Sequence, residues 1–365
     1  MTATVLDFDR VRLALDGNVA TLVLNHPEVL NAVSTPMLAG LMAACDAIED
    51  PAHDVRCVLL TGEGRAFCAG ANLQGRGGAQ GAAVPRNRRA GATLETEYHP
   101  VLRRLRDLPC PIVAAVNGAA AGAGMSLALM GDLVVAAESA YFLQAFRRIG
   151  LVPDCGASWL LPRLIGRARA IELSLLGEKL PARTALEWGL VNRVVPDAEL
   201  LAAATAIARD IATGPTVALG LIRRMYWESP DNSYEDQLDL EARCQRRAGA
   251  SDDFDEGVTA FLEKRPARFR GRWAAPAPVR PARAARRRPP GRGCRRAPGA
   301  GPAHRRRARP PPGRHRSSGV PVPPAGARGM LTGRPEDPCR APSTASSPAP
   351  TSTASSAPCC SRSST

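Results

Sequence analysis

Two short segments of the chain combine residue types suited to acyl chemistry: Phe67-Cys68-Ala69-Gly70-Ala71-Asn72-Leu73 and Asn117-Gly118-Ala119-Ala120-Ala121-Gly122-Ala123-Gly124. Each follows an apolar run that reads as a buried strand, then passes through small residues towards helical text. The first backbone N–H groups of a helix have no partner inside it and can point at an anion. Small residues are needed there because an acyl group must come close to the backbone. Two such loops face to face would form a two-donor oxyanion hole, a device worth about 2.7–4 kcal/mol per donor. The same residues also permit tight strand–helix packing, and the pattern alone leaves both readings open.

Other chemistries find little support. The glycines from Gly118 to Gly124 superficially resemble a dinucleotide fingerprint, but the third is misplaced and no acidic residue stands about twenty positions on. No GxxxxGK[ST] occurs. His26, His53 and His99 sit in polar or loop contexts without an evident nucleophile, which argues against a triad or a metal site. None of the ten cysteines forms a CxxC pair. Cys68 and Cys155 border the expected pocket and read as small buried hydrophobes rather than nucleophiles. Glu138 reads as a solvated turn residue. Phe146 and Trp159 fit either an apolar acyl pocket or ordinary core.

The elements that must position these loops read as α/β. Val11–Ala14 and Ala20–Leu24 flank Asp16-Gly17-Asn18, a hairpin signal. A helix opens near Ser34-Thr35-Pro36, with a cap and a proline in its first turn. Strands are expected at Arg56–Thr61, Ile112–Val116, Leu133–Ala136 and Arg193–Val195, with Tyr141–Leu143 a further short one. Helices are expected up to Leu108, from Met125, from Ala157, and over 197–212, 215–227, 233–248 and 253–264. The uncharged stretch 108–131 is long enough for a membrane span. Its Pro109, Pro111, Asn117 and run of Gly and Ala fit a strand, a tight turn and a buried helix better.

The chain has 365 residues with 48 Lys+Arg and 34 Asp+Glu, a formal charge of +14. That charge is not evenly spread. Residues 272–365 hold 19 Arg, no Lys and two acids, so residues 1–271 carry 29 basic and 32 acidic side chains, a net of −3. The same 94 residues hold 19 of the 33 prolines. Such Pro/Arg/Ala/Gly/Ser text cannot bury enough area to offset chain entropy, so a disordered tail is expected. Two readings of it stand: a basic arm for nucleic acid, or a frameshift or readthrough of GC-rich sequence past the normal end. The absence of Lys, and of interleaved aromatics beyond Trp273, favours the second and makes nucleic acid an unexpected partner. No basic n-region and apolar h-region opens the chain, which makes a reduced, cytoplasmic, membrane-free protein the expectation.

The loops FCAGANL (67–73) and AAVNGAAAGAGMSLAL (114–129) resemble the paired oxyanion motifs of the crotonase, or enoyl-CoA hydratase/isomerase, superfamily. LNHPEVLNAV (24–33), GLVPDCGASWLLPRLIGRARA (150–170), ALEWGLVNRVV (185–195) and DEGVTAFLEKRPARF (255–269) match in the same order. The resemblance covers residues 8–271. It implies a crotonase ββα spiral core over 1–200, a C-terminal helical trimerisation region over 201–271, and then the 272–365 tail. It further implies acyl-CoA substrates, a homotrimer or hexamer, and no metal or redox cofactor, coenzyme A entering as part of the substrate. The N–H groups of Ala71 and Ala123 would bind the thioester oxygen. Ala69 and Asn72 would lie near the adenine end of coenzyme A, and Lys264, on the last helix, would reach a neighbour's CoA phosphates unless it is simply solvated.

The acid/base positions depart from the hydratase pattern. The two glutamates of a hydratase fall on Ser126 and Phe146, neither able to move a proton usefully. Asp154 remains, in a GLVPD–G–WLLPR segment most similar to family isomerases of the ring-epoxide phenylacetyl-CoA type, which also move enoyl-CoA double bonds. One carboxylate suffices for isomerisation, because an oxyanion hole stabilises an enolate. The competing reading is that Asp154 caps the helix after it. A non-standard hydratase and a non-catalytic acyl-CoA binder are the alternatives to an isomerase.

Overall fold

The computed structural model describes residues 4–73 and 90–271, so the expectations about the 272–365 tail lie outside the described residues. The chain opens on β1 (Thr4–Phe8), β2 (Val11–Asp16) and β3 (Val19–Leu24), an antiparallel meander. Gly17 turns the second hairpin at a φ of +59°, a region that glycine enters without strain. Helix α1 (Thr35–Glu49) begins where its cap was expected: the Ser34 side chain accepts the Met37 N–H at 3.4 Å.

From there one unit recurs: a longer strand, a short strand, then helix. β4 (Cys57–Gly62) and β5 (Ala66–Cys68) lead to α2 (Ala90–Thr93), a π-helical turn (Leu94–Tyr98) and α3 (His99–Asp107). β6 (Ile112–Val116) and β7 (Ala119–Ala121) lead to α4 (Ala123–Ala128). β8 (Leu133–Ala137) and β9 (Tyr141–Leu143) lead to α5 (Ala157–Ile165) and α6 (Arg167–Leu176). The longer strands join a seven-stranded sheet, β1-β2-β3-β4-β6-β8-β11, and the short ones a four-stranded sheet, β10-β9-β7-β5. Here β10 is Lys179–Pro181 and β11 is Arg193–Val195, separated by α7 (Ala182–Glu187). This is the expected α/β class with repeated ββα units. The stretch 108–131 is β6, β7 and α4, and no helix among the described residues is long and apolar enough to cross a membrane.

Every residue of β4 and of β6 is buried, because layers cover both faces of the parallel part of the large sheet. One layer is α8 (Leu200–Thr213), whose Ala204, Ala208 and Ala212 form a buried stripe at four-residue spacing. Helix α8 packs on β4, β6 and β8 and belongs to the core. The helices that stand away from the sheet begin with α9 (Thr216–Glu228) and continue as α10 (Tyr234–Ala248) and α11 (Asp252–Glu263).

Helix α9 is fastened by Arg223, whose side chain is almost wholly buried. Its Nε donates to Asp132 Oδ2 at 2.6 Å, and its other nitrogens donate to the carbonyls of Leu105, Arg106 and Leu108 at the end of α3. Asp132 in turn accepts the Ile112 N–H that starts β6, at 2.8 Å. Removing one partner of such a pair strands the other charge in the interior. Arg223→Ala is therefore expected to cost about 3–5 kcal/mol, read as a fall of roughly 10 °C in Tm. A melting curve unchanged by the substitution would contradict this account.

Candidate active site

Strands β5 and β7 lie side by side and parallel, with Ala66 opposite Ala119 and Cys68 opposite Ala120. Both therefore release their loops at the same edge of the small sheet, the carboxyl ends of the strands. After β5 the chain is held by the segment 30–33. The Ala69 N–H donates to Leu30 O at 2.9 Å, the Val33 N–H to Gly70 O at 2.7 Å, and the Asn72 N–H to Val33 O at 2.7 Å. A parallel bridge of this form uses the groups on either side of Ala71 and turns its own N–H away. Among the described residues the Ala71 N–H has no acceptor. Asn31 fixes the supporting segment: its amide donates to the carbonyls of Glu63 and Ala66, and its Oδ1 accepts the His26 N–H at 2.8 Å.

After β7, Gly122 adopts φ +51° and α4 opens at Ala123, whose N–H also lacks an acceptor among the described residues. The two loops touch. A Cβ on Gly70 would lie 2.8 Å from Ala121 O and 3.9 Å from the Ala123 nitrogen, while one on Gly124 would collide with the Cys68 carbonyl. The small residues are thus required by backbone approach, and the same approach brings the Gly70 end of the first loop close to the Ala123 nitrogen. A pair of N–H groups on such loops can hold an oxygen that becomes negatively charged.

Asp154, on the chain between β9 and α5, lies with its backbone against α4. Ser126, fully buried on α4, donates its hydroxyl to the Asp154 backbone carbonyl at 3.2 Å and so ties α4 to the segment that carries this carboxylate. Asp154 does not cap α5, which opens at Ala157 behind Gly156 with no side-chain cap. Instead its Oδ1 is buried without a hydrogen-bond partner. Burial pushes the carboxyl above its ordinary range, opposed by the Cys155 thiol and by the charge of His99. Phe146 is buried with its ring near Gly122, where a Cβ would be 3.6 Å away, so an apolar ring occupies the second hydratase position.

The comparison with known proteins now decides the family. The enoyl-CoA hydratase/isomerase family model matches residues 15–272. The chain belongs to this family. It is 48% identical over 258 residues to the 1,2-epoxyphenylacetyl-CoA isomerase of Escherichia coli, covering 71% of this chain and 97% of that one. It is 33% identical to the trans-2-decenoyl-[acyl-carrier-protein] isomerase of Streptococcus mutans, covering 73% and 100%. Among solved structures, the enoyl-CoA hydratase of Bacillus anthracis superposes with a TM-score of 0.65 at 31% identity, covering 74% of this chain and 100% of that one. The chain is an enzyme of the enoyl-CoA hydratase/isomerase family with the crotonase fold.

Among the remaining expected residues, Ala69 and Asn72 lie in the segment after β5, both partly buried. Lys264 is not on α11 but just past it, exposed, in the left-handed conformation that ends the helix. Burial pushes the Cys68 thiol up to about 12 and raises Cys155 as well, which keeps both neutral and argues against thiol chemistry in this family member. Glu138 is exposed and paired with Arg183. Trp159 stacks on Trp227, centroids 5.7 Å apart, and so joins α5 to α9. One role had no signal in the sequence: that of Asn31, which braces the first loop.

Proposed function

We propose that this enzyme is an acyl-CoA isomerase that shifts a double bond, or rearranges a ring epoxide, through an enolate. The Ala71 and Ala123 N–H groups hold the thioester oxygen. Asp154 takes a proton from the carbon next to the thioester carbonyl, and the electron pair moves to that oxygen. For a 3-enoyl substrate the same carboxyl returns the proton two carbons further along, and the electrons flow back to form the conjugated double bond. The observation that supports this reading is the part-buried Asp154, its Oδ1 without a hydrogen-bond partner and its backbone tied by Ser126 to α4, the helix that opens at the Ala123 N–H, with Ser126 and Phe146 where a hydratase would need glutamates. The 1,2-epoxyphenylacetyl-CoA isomerase relative points the same way.

The test is to incubate the full chain with a 3-enoyl-CoA, a 2-enoyl-CoA and an epoxide-bearing aromatic acyl-CoA. Migration or epoxide rearrangement without net hydration is expected. Sustained water addition to the 2-enoyl-CoA would replace this reading with a hydratase, and binding without turnover of any of the three would make the chain an acyl-CoA binder.

The reading extends to assembly. Phe261 is 83% exposed and Leu262 73% exposed on α11, and Phe254 and Val258 of the same helix are also exposed. Apolar side chains in this density signal a surface covered by another chain, so a homotrimer or a pair of trimers is proposed. Sedimentation of the full chain should give three or six copies; a stable monomer would refute it.

A further inference from the structure

Among the described residues three polar side chains are wholly buried: Asn31, Ser126 and Gln144. Asn31 and Ser126 bond to backbone groups, as buried polar groups usually do. Gln144 does not. Its Nε2 donates to the Met125 Sδ at 3.1 Å, and its Oε1 has no hydrogen-bond partner. A thioether sulfur is only a weak acceptor, and an orphaned amide oxygen in the interior costs stability. An apolar side chain of the same shape would suit the core at least as well. A glutamine at this position therefore needs a reason other than stability.

The reason lies in what Gln144 grips. It directly follows β9, whose last residue, Leu143, stands opposite Ala121 of β7. The Leu143 carbonyl accepts the Gly122 N–H at 2.8 Å, and the Phe146 ring is 3.6 Å from where a Gly122 Cβ would be. Gln144, between Leu143 and Phe146, holds Met125 on the first turn of α4. One short segment thus holds Gly122 just before Ala123 and Met125 just after it. Helix α4 needs such a grip. It has six residues, no side chain caps its start, and its opening bond runs from the Ser126 N–H to Gly122 O at 3.2 Å. So short a helix has little stiffness of its own. Packing of Met125 alone would hold it loosely, because methionine adapts to whatever surrounds it; a directed bond to its sulfur gives the turn one setting.

We propose that Gln144 is a positioning residue for the Ala123 N–H, its amide fixing the first turn of α4 against the end of β9 through Met125. This rests on the reading of the Ala71 and Ala123 N–H groups as holders of the thioester oxygen. The test compares the full chain with its Gln144→Met, Met125→Leu and doubly substituted variants, changes that nearly conserve volume and remove the bond. The first measurement is the infrared band of hexanoyl-CoA, isotope-labelled at its thioester carbonyl and bound without turnover. The second is kcat and KM for migration in a 3-enoyl-CoA, and the third is Tm.

In the parent, the bound carbonyl band should lie below that of free hexanoyl-CoA, drawn down by the two donors. In Gln144→Met this shift should shrink, and kcat should fall by roughly ten- to a hundred-fold with KM within about two-fold. Tm should not fall. Met125→Leu should behave alike, and it reads the same bond from the other side should Gln144→Met fail to fold. The double variant should lose no more than either single one, since all three lack the one bond. A full band shift or an unchanged kcat in Gln144→Met would overturn the proposal, as would losses that multiply in the double variant. A parent band that does not move on binding would instead sink the oxyanion reading, and this proposal with it.

Discussion

Replacing Asp154 by asparagine is expected to lower kcat for double-bond migration by about 10²–10⁴-fold while leaving the protein at least as stable as the parent. The two effects have one cause. Burial raises the carboxyl's pKa in the folded state, so between the unfolded and folded values the native protein binds more protons than the unfolded chain. Stability contributed by this group is therefore present at low pH and is lost as pH rises through the window; above it, the ionised carboxylate is a constant burden on the fold. Asparagine keeps the shape, removes the charge and removes the burden. Thermal melts of parent and variant should show the variant's advantage growing from acid to neutral pH and then levelling. An active variant would sink the assignment, and a strongly destabilised one would mean that Asp154 is a structural cap after all.

Gly70→Ala should be nearly as damaging to turnover for a different reason. Gly70 sits at φ +99° with the Ala121 carbonyl 2.8 Å from where a Cβ would stand. The added methyl group must push the two loops apart, and the Ala71 and Ala123 N–H groups diverge with them. Losing one donor of an oxyanion hole costs about 10²–10³-fold in kcat, and the backbone strain adds about 1–3 kcal/mol of instability. Gly17→Ala is the control: it also sits at positive φ, in the β2–β3 turn, with nothing within 4 Å. It should lower Tm without touching kcat. Equal kcat losses in the two variants would show that the activity tracks general stability and not the loop contact.

Much of this arrangement was legible from periodicity and turn chemistry. The β2–β3 hairpin, β6 and the capped start of α1 lie where the pattern of apolar residues and the Ser34-Thr35-Pro36 signal put them. Strands β5 and β7 did not, since Ala-Phe-Cys and Ala-Ala-Ala carry no strand preference of their own; they are strands because each pairs with a neighbour in the small sheet. The paired loops were visible, but the contact between Gly70 and the Ala121–Ala123 segment was not, because it joins residues about fifty apart in sequence. Asp154 was ambiguous because Asp before a helix usually caps it. The structure instead opens α5 after two residues at positive φ, Cys155 and Gly156, and the Asp154 side chain does not cap it.

The stack between Trp159 and Trp227 has an optical consequence. Two indole rings 5.7 Å apart and 10° from parallel exchange excitation energy, so their circular dichroism carries a paired band that neither ring gives alone. One ring stands on α5, five residues past Asp154, and the other on α9, beyond the Arg223 anchor. The band exists only while the helical end is seated on the core. Light alone can therefore report, without label or substrate, whether a variant or a bound acyl-CoA has loosened that seat.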